Sequence, residues 1–430
     1  MTFGIDLGTT NSLIGLHDVF ISKLVPSIVN LDEKTAGESL RDNYLQTTRS
    51  FKIDMSLGSE GNISVASSAL VLRELVNISG YDVKDVVITV PAYFTCNQRE
   101  ATRKAAEMIG LSVKALVNEP TAAAMYYLKD KRSLTFVFDL GGGTFDISVV
   151  DSRLGYYDVL DTSGLVLGGD DLDKAIFADM QRTCNLKLHR ATKEIQSRIL
   201  HDCLLLKVQL QRTGETVNYS HHLLDKDYIL TVDNYINIMM KVFKNCLIRT
   251  LEVKNRSIPH DAKFSILFVG GSTRCPYLRK WVETELRQRA LPFTYNPDEI
   301  VGLGAAYYAH LFDKGVILDK VKDTLKPLGI GLIDGTIRTI IPSGSKLPIS
   351  ETVMVTNPDS SMGLEISLYQ GESSLVKNND KIGSLKYDFD RVMECRTANV
   401  EVMVKVDISG FITFSAKEFG KVPREIKLTN

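Results

Sequence analysis

The sequence predicts an α/β domain of two related halves around a cleft, followed by an all-β antiparallel sandwich. Residues 3–15 (FGIDLGTTNSLIG) and 136–149 (FVFDLGGGTFDISV) repeat one pattern: an apolar strand, an Asp, a turn rich in Gly and Thr, and a second apolar strand. Strands and helices alternate between these segments and after them. From residue 327 onward the helical signal largely disappears, and short alternating runs replace it.

The first part of the chain alternates strands with helices. Residues 83–90 form a mostly apolar strand ended by Pro91, and residues 97–109 place Ala, Met and Ile at helical spacing with charges on the opposite face. A short strand at 112–117 leads into an Ala-rich helix that Glu119 opens. The same patterns predict helices at 171–214, 233–253 and 298–312, a hairpin or loop around 213–227, and a buried strand at 264–268. This alternation is typical of an α/β domain.

The second part of the chain has a different pattern. Between residues 314 and 326, charged residues surround a short apolar piece, which is typical of a linker. Beyond it, turns rich in Gly, Asn, Asp and Pro separate alternating runs at Gly363–Tyr369, Val400–Val406 and Phe411–Ser415. That spacing predicts a sandwich of about seven or eight strands. We therefore expect the α/β domain at residues 1–315, the linker at 316–326 and the sandwich at 327–430.

Composition narrows the class of protein. Hydrophobic residues make up 44% and charged residues 24%, as in globular proteins, and 430 residues exceed one ordinary core. The 51 Lys and Arg nearly balance the 52 Asp and Glu, so the charge gives no reason to expect a nucleic-acid partner. Six widely spaced cysteines without a C-x-x-C pair favour reduced thiols over disulfides or zinc. The N-terminus has no signal pattern and no long apolar run follows, so we expect a cytoplasmic protein without a membrane partner.

Two acidic, glycine-rich turns indicate a polyphosphate site. Bunched backbone N–H groups in the two hairpin tips suit phosphate oxygens, and Asp6 and Asp139 stand at matching places in the two copies. Such a pair of carboxylates can hold a divalent cation through its waters. One Asp-Leu-Gly turn alone is common in proteins, but two matching copies favour a ligand site.

A third glycine motif suits the nucleoside end of the same ligand. Gly270-Gly271-Ser272 follows an apolar strand, and Arg274 can stack its guanidinium plane on a base. An ordinary strand-to-helix turn is the alternative for this motif. The chain has neither the G-x-G-x-x-G fingerprint nor a G-x-x-x-x-G-K-[ST] loop, which argues against a Rossmann dehydrogenase and a P-loop ATPase.

Together these motifs resemble the heat-shock protein 70 (DnaK-like) chaperone family. The matching stretches are, in order, GIDLGTTNS at 4–12, VPAYF at 90–94 with QR at 98–99, NEPTAAA at 118–124, DLGGGTFD at 139–146, LGGDDLD at 167–173 and VGGSTRCP at 269–276. Further details are similar to the HscC branch, namely LVLRELV at 70–76, KDVVITVPAYF at 84–94, and YQGE with VKNN within 369–379. The resemblance implies an actin-like ATPase domain with two lobes around an ATP cleft, and a β-sandwich that binds extended apolar peptides.

The resemblance also assigns cofactors and site residues, with ATP or ADP and Mg²⁺ as the cofactors. It places phosphate contacts on Gly8, Thr9, Thr10, Asn11, Gly141, Gly142 and Gly143. It places contacts to the nucleoside side or the terminal phosphates on Gly168, Gly169, Lys207, Gly270, Gly271, Ser272, Arg274 and Asp298. Asp6 and Asp139 would hold Mg²⁺ through water, and the catalytic residues would be Lys52, Glu119, Asp139 and Thr144.

The roles of these catalytic residues follow from positioning and charge. Lys52 would help to position the attacking water, and hydrolysis would need no covalent intermediate. A solvated lysine is the alternative for Lys52, and a helix-start carboxylate is the alternative for Glu119.

The resemblance further implies an extended or unfolded polypeptide as the substrate of the sandwich. Six apolar residues are candidates for its cleft: Leu332, Ile333, Val353, Val355, Leu364 and Ile366. Pro91 and Arg99 match the family's relay between the nucleotide and substrate domains, with a strand-ending Pro and a helix-surface Arg as the alternatives. A J-domain co-chaperone and a nucleotide exchange factor are further expected partners.

The chain departs from the family pattern at several places. The segment between Lys52 and Ile63 is short, and Leu204 stands where the family has an adenine-side Glu. Ala115 stands where the family has an Arg used in contact with the J-domain, and the linker is less apolar and more basic. We also expect the helical lid after the sandwich to be absent, so that peptide leaves quickly.

The leading interpretation is an ATP-dependent molecular chaperone that hydrolyses ATP slowly and thereby regulates its affinity for peptide. The alternative from another class is a regulatory or scaffold protein that binds ATP with little hydrolysis. A small-molecule kinase on the same fold is a third possibility, which the β-rich second part disfavours because it has no place in that reaction.

Overall fold

The computed structural model describes residues 1–17, 19–20, 24–40, 47–55, 61–129, 131–317, 321–322 and 325–418. Part of the segment between Lys52 and Ile63 and part of the linker at 316–326 lie outside these residues. In the part of the chain that is described, no helix has both the length and the apolar character needed to cross a membrane.

The first lobe is a mixed sheet with helices packed on it. Its strands are β1 (Thr2–Asp6), β2 (Asn11–Leu16), β3 (Val19–Phe20), β4 (Val25–Pro26), β5 (Val29–Asn30), β6 (Thr35–Ala36), β7 (Asp85–Val90) and β8 (Ser112–Asn118). Its helices are α1 (Gly61–Ser79) and α2 (Cys96–Glu107), and α3 (Glu119–Leu128) follows β8 and packs mainly on the sheet of the second lobe. The main sheet has the order β3-β2-β1-β7-β8, in which β1 and β2 form an antiparallel hairpin and β1 and β7 run parallel. The predicted hairpin at 3–15 is therefore confirmed.

The second lobe repeats this sheet arrangement with more helices. Its strands are β9 (Ser133–Leu140), β10 (Phe145–Arg153), β11 (Tyr156–Leu165), β12 (Val217–Tyr219), β13 (Tyr228–Leu230) and β14 (Ser265–Val269). Its helices are α4 (Gly169–Cys184), α5 (Lys193–Thr213), α6 (Val232–Val242), α7 (Lys244–Ser257) and α8 (Pro276–Leu286), and α9 (Ile300–Asp313) then returns to pack on the sheet of the first lobe. The β9–β10 hairpin brings Asp139 opposite Asp146, and β14 pairs with β9 in parallel. The second predicted hairpin is thus also confirmed.

A shared apolar core joins the two lobes. Helices α3 and α9 pack against each other and against strands of both sheets. Val87 of the first sheet and Val137 and Leu267 of the second belong to this one buried cluster. Because the lobes are joined here, the hairpin turns of β1–β2 and β9–β10 meet at the cleft between them.

The C-terminal part is a sandwich of two antiparallel sheets. Its strands are β16 (Leu328–Gly331), β17 (Ile337–Ile341), β18 (Ile349–Val355), β19 (Ser361–Gln370), β20 (Asp380–Met393), β21 (Val400–Val406) and β22 (Ile412–Glu418). One sheet has the order β17-β16-β19-β20 and the other β18-β21-β22. Leu368, Leu385 and Val402 lie in the core between them, as does Ile366, which is 5% exposed and therefore forms core rather than an open cleft. The predicted all-β sandwich is confirmed.

The predicted linker is partly a strand. Residues Val321–Lys322 form β15, which pairs in parallel with Tyr157 and Asp158 at the edge of the second lobe's sheet. Val321 is buried in the shared core. Near the same edge, Lys346 of the sandwich forms an ion pair with Asp158 (Nζ–Oδ1, 2.7 Å). The alternation of charges in this stretch of sequence gave no sign of this pairing.

The sandwich rests on helix α2 of the first lobe. The Arg99 guanidinium donates a hydrogen bond to the Ser409 carbonyl (3.2 Å), and the Ser409 hydroxyl accepts one from the Leu116 amide (3.0 Å). The Cys96 amide, at the start of α2, donates to the Gln370 side chain (3.0 Å). The Cys96 side chain is buried with the apolar core of the sandwich. The two parts of the chain are thus in direct contact.

Candidate functional site

A cavity of about 250 Å³ opens between the lobes at the two hairpin turns. The predicted site residues that line it are Asp6, Gly8, Thr9, Thr10, Asn11, Glu119, Asp139, Gly141, Gly142, Thr144, Gly169, Lys207, Gly270, Gly271, Ser272 and Asp298. Four predicted residues lie behind or beside this lining, namely Lys52, Gly143, Gly168 and Arg274. The structure therefore brings most of the predicted residues together, from segments far apart in the chain.

Hydrogen bonds to two serine hydroxyls hold the first hairpin turn in place. The Gly8 amide donates to the Ser12 hydroxyl (3.1 Å), and the Ser27 hydroxyl donates to the Gly8 carbonyl (2.8 Å). The two hydroxyls also bond to each other (2.9 Å). These bonds fix the turn without help from a ligand, so its remaining backbone amides are available to an anion.

The second turn approaches the first closely at Gly142. A Cβ atom on Gly142 would lie 1.9 Å from the Thr10 hydroxyl oxygen of the first turn. The Gly141 amide closes its own turn on the Thr144 carbonyl (3.0 Å), while its carbonyl accepts a bond from the Gly169 amide (3.0 Å). The two turns therefore face each other across a gap suited to a chain of phosphates.

Buried carboxylates lie at the roots of the two turns. Asp6 ends β1 and accepts a hydrogen bond from the Thr89 hydroxyl (2.7 Å). Burial, and then the negative charge of Glu119, raise the pKa of Asp6 to about 7. The same two causes raise the pKa of Asp139 and of Asp146 well above the ordinary range. This concentration of buried negative charge favours the arrival of a cation.

Lys52 supplies positive charge to this carboxylate cluster. Its side chain is 1% exposed, and its ammonium group forms an ion pair with Glu119, the first residue of α3. The ammonium also lies 5.9 Å from the centre of the Phe94 ring. The alternative of a solvated Lys52 is therefore wrong. Glu119 does stand at a helix N-terminus, where the helix dipole favours a carboxylate, but it also takes part in this buried pair.

The donor set fits a hydrated magnesium ion. Among the residues that the structure describes, no group of three or more His, Cys, Asp or Glu side chains is arranged to hold a metal directly. Mg²⁺ usually keeps several waters and binds through one or two carboxylates together with phosphates. Asp6 and Asp139 are both buried, and the charge of Asp6 is one of the causes that raise the pKa of Asp139, so the two carboxylates offer that kind of site.

The opposite end of the cleft is built by α4, α5 and the turn after β14. Lys207 of α5 is 7% exposed, and it pairs with Asp173 (2.7 Å) and donates to the Gly169 carbonyl (3.2 Å). The Ser272 hydroxyl donates to the carbonyl of Gly141, which ties this end to the second hairpin turn (2.8 Å). These contacts make one continuous wall from the phosphate turns to the nucleoside end.

Arg274 lies at the rim of the cleft instead of in its lining. Its side chain is half exposed, and it bonds to the carboxylate of Asp298 (2.6 and 2.9 Å) and to Asn296. Asp298 itself lines the cavity. The expectation that Arg274 stacks on a base stays a prediction.

Several lining residues were not among the site residues predicted from the sequence, although Asp170, Leu172, Asp173 and Cys275 lie within the matching stretches. They are Asp170, Leu172, Asp173, Val208, Gln211, Tyr235, Phe243, Cys275, Pro297 and Val301. Most of them come from helices α4, α5 and α6, where an ordinary amphipathic pattern gives no sign of a ligand. Asp146 was part of a motif, but its burial beside the cluster was not foreseen.

A run of contacts leads from the carboxylate cluster to the sandwich. The Asp146 carboxylate accepts a hydrogen bond from the Ala92 amide (2.7 Å) in the turn between β7 and α2. Thr95 then caps α2, and Arg99 in that helix bonds to Asn118 (2.5 Å) as well as to the sandwich loop. Arg99 is 5% exposed, so the alternative of an ordinary helix-surface arginine is wrong.

Comparison with known proteins agrees with this architecture. The sequence profile described as Hsp70 protein matches residues 52–429. The chaperone protein dnaK of Phaeodactylum tricornutum is 31% identical over an alignment that covers 96% of this chain and 78% of that protein. Chaperone protein DnaK of Ureaplasma parvum is 30% identical, over 99% of this chain and 77% of that protein. The chain therefore belongs to the Hsp70 family and is an ATP-dependent molecular chaperone with ATPase activity.

Proposed function

We propose that ATP binds in this cleft with its phosphates between the two hairpin turns, and that Lys52, Glu119, Asp139 and Thr144 form the catalytic group. One observation carries the proposal: the two glycine turns face each other beside a cluster of buried carboxylates that contains the ion-paired Lys52. A triphosphate with its cation matches this combination of backbone donors and acidic groups.

The chain's own residues would act by positioning and by charge. The ion pair with Glu119 fixes the Lys52 ammonium, which can then orient a water beside the terminal phosphate. The Thr144 hydroxyl, in the second turn, is the further polar group at that place. Asp6 and Asp139 would hold Mg²⁺ through water, and the ion would neutralise charge on the phosphates.

The remaining nucleotide contacts are part of the same proposal. Gly8, Thr9, Thr10, Asn11, Gly141, Gly142 and Gly143 would cradle the phosphates, and Gly168, Gly169, Lys207, Gly270, Gly271, Ser272, Arg274 and Asp298 would contact the nucleoside side or the terminal phosphates. Leu204 lines the cavity where the family has a Glu. That difference favours the alternative of ATP binding with little hydrolysis, whereas the assembled catalytic group favours hydrolysis.

We also propose that the sandwich, residues 327–430, binds an extended stretch of unfolded polypeptide. The loop after β16 presents Leu332 (43% exposed) and Ile333 (86% exposed) to solvent. Backbone hydrogen bonds hold this loop in place, among them one from the Leu332 amide to the Thr336 carbonyl (2.8 Å). Exposed apolar side chains on a fixed loop suit apolar peptide side chains. Val353, Val355 and Leu364 are half-buried and would contribute less.

Coupling between the two sites is a further part of the proposal. The contacts from Asp146 through Ala92 and α2 to Ser409 join the phosphate end of the cleft to the sandwich. A ligand that moves the second turn would therefore act on the α2–sandwich contact. J-domain and nucleotide-exchange partners, closeness to the HscC branch, and the domain limits at 1–315 and 316–326 remain proposals from the sequence. The six unpaired cysteines support the cytoplasmic location that we propose.

Single-turnover hydrolysis and peptide binding test the proposal together. We expect Mg·ATP to be hydrolysed slowly, an apolar fluorescent peptide to stimulate hydrolysis, and ATP to change the affinity for that peptide. Lys52→Met should abolish hydrolysis but retain peptide binding, while Lys84→Met, at an exposed ion pair, should behave like the wild type. Tight ATP binding without turnover in the wild type would favour the scaffold alternative, and no ATP binding would refute the site.

A further inference from the structure

The segment that carries Lys52 is anchored in the first lobe at both of its ends. On one side, Thr48 exchanges two backbone hydrogen bonds with Val29 of β5 (2.8 and 3.1 Å). On the other side, the buried side chains of Phe51 and Met55 belong to the apolar core of the first lobe. Lys52 therefore lies in a short stretch of chain whose two ends are fixed to that lobe.

Between these anchors the chain reaches across the cleft to the second lobe. The Ser50 hydroxyl donates a hydrogen bond to the Asp170 carboxylate (Oγ–Oδ2, 2.8 Å). Asp170 lies in the first turn of α4, and its amide donates to the Gly142 carbonyl in the second hairpin turn (2.7 Å). The other carboxylate oxygen of Asp170 also faces Gly142, since a Cβ atom there would lie 3.2 Å from it. Ser50 is thus bonded to the wall that carries the second turn.

The backbone of Ser50 has an unusual conformation. Its φ of 53° and ψ of 22° lie in the left-handed region, which a residue other than glycine adopts only at a cost in energy. Such a conformation persists only where the surrounding structure holds it in place. Ser50 directly precedes the short 3₁₀ helix that presents Lys52. The contacts around this residue, the bond to Asp170 among them, therefore fix the start of that helix.

The acceptor of this bond is costly to leave unpaired. Asp170 lines the cavity between the lobes. Burial raises the pKa of its carboxyl above the usual range, whereas the hydrogen bond from Ser50 lowers it. A buried carboxylate that loses a hydrogen-bond donor bears the full cost of its desolvation. The bond therefore opposes any separation of the Lys52 segment from the second lobe.

We propose that Ser50, through its bond to Asp170, is a positioning residue that holds the Lys52 ammonium at a fixed distance from the second hairpin turn. Lys52 belongs to a first-lobe segment, whereas Asp139 and Thr144 belong to the second lobe. The distance between these groups therefore depends on contacts across the cleft. A terminal phosphate would lie between them, and a displacement of roughly 1 Å can slow a reaction about a hundredfold. The inference rests on the proposed ATP site and adds a residue that need not touch ATP.

Single-turnover hydrolysis of ATP that has been bound beforehand separates positioning from binding. Ser50→Ala removes the donor, and we expect the hydrolysis rate to fall roughly tenfold while the dissociation constant for ATP changes less than about threefold. Asp170→Ala should slow hydrolysis to a similar extent. The double variant should be no slower than either single variant, because each substitution removes the same bond. Asp170→Asn keeps an oxygen that can accept from the hydroxyl, so it should hydrolyse ATP faster than Asp170→Ala.

Two further variants separate positioning from a loss of stability. Ser50→Gly also lacks the hydroxyl but suits the left-handed backbone, so it should hydrolyse ATP as slowly as Ser50→Ala without melting at a lower temperature than that variant. Ser112→Ala changes an exposed serine of the first lobe and should match the wild type.

The outcomes distinguish this inference from the ATP site on which it rests. Hydrolysis at the wild-type rate in both Ser50 variants overturns this inference alone. Slow hydrolysis in Ser50→Ala but not in Ser50→Gly assigns the effect to backbone strain and overturns it too, as does a double variant that multiplies the two single losses. If the wild type binds no ATP, the proposed nucleotide site fails as well.

Discussion

Replacing Lys52 by Met removes the positive charge from the carboxylate cluster. Lys52 is buried against Glu119, and its charge lowers the pKa of Asp6, Asp139 and Asp146. Without it, four buried carboxylates face one another in a site that water does not reach freely. We therefore expect Lys52→Met to lose stability at neutral pH, in addition to losing hydrolysis.

The size of the loss follows from the burial of the pair. Leaving one partner of a buried ion pair without the other costs about 3 to 5 kcal/mol of unfolding free energy. Glu119→Gln should cost less unfolding free energy. In this variant the Lys52 charge still has the carboxylates of Asp6 and Asp139 near it, and a carboxylate that raises the pKa of both is removed. Protonation of the cluster relieves its repulsion, so the loss in Lys52→Met should shrink as the pH falls.

Urea unfolding followed by far-ultraviolet circular dichroism measures these free energies. The wild type, Lys52→Met, Glu119→Gln and the surface variant Lys84→Met would be compared at about pH 8 and about pH 5.5. The expected order of stability at the higher pH is wild type and Lys84→Met together, then Glu119→Gln, then Lys52→Met. The reasoning is refuted if Lys52→Met is as stable as Lys84→Met at the higher pH.

Three further predictions concern pH, the turns and the interdomain contact. Burial raises the pKa of Asp6 from 3.8 to about 7 in the folded protein, so the folded state binds the extra proton between these values. Stability of the nucleotide-free protein should then fall as the pH rises through this range, and thermal unfolding of Asp6→Asn should show a smaller fall. Gly168→Ala places a Cβ 2.2 Å from the backbone carbonyl oxygen of Gly142, which cannot turn aside, and should lower ATP turnover roughly a hundredfold; a rate near that of the wild type would contradict the close packing of α4 against the second turn. Arg99→Ala should reduce the effect of ATP on peptide affinity roughly fivefold or more, measured by fluorescence anisotropy, while Lys104→Ala on the exposed side of α2 should not.

The phosphate end of the site could be predicted because it depends on local geometry. An Asp followed by a Gly/Thr turn between two apolar strands specifies a hairpin within about a dozen residues, and two such copies at Asp6 and Asp139 specify facing turns. The change from helices to short alternating runs after residue 327 likewise marks the sandwich by local pattern. In each case neighbouring residues hold most of the necessary information.

The other end of the cleft and the interdomain contact depend on packing between distant segments. Gln211 and Tyr235 lie on different helices, and their amphipathic patterns only say which face is buried. The burial of Lys52 depends on how a short 3₁₀ helix, Phe51–Asp54, packs beside the start of α3, and no periodic pattern in the sequence indicates that contact. The pairing of Val321 with Tyr157 joins residues far apart in sequence, so the charged stretch around Val321 looked like an ordinary linker.

The burial of Cys96 provides an internal chemical reporter of domain separation. Its thiol is 7% exposed beneath the sandwich, and burial raises its pKa to about 12, whereas Cys395 is exposed. Alkylating reagents attack the thiolate, so Cys96 is protected while the sandwich covers the start of α2. When the sandwich lifts off, water reaches the sulfur and labelling begins. The labelling rate of this natural thiol, read peptide by peptide in a mass spectrometer, therefore measures how often the two parts come apart, and no dye has to be attached.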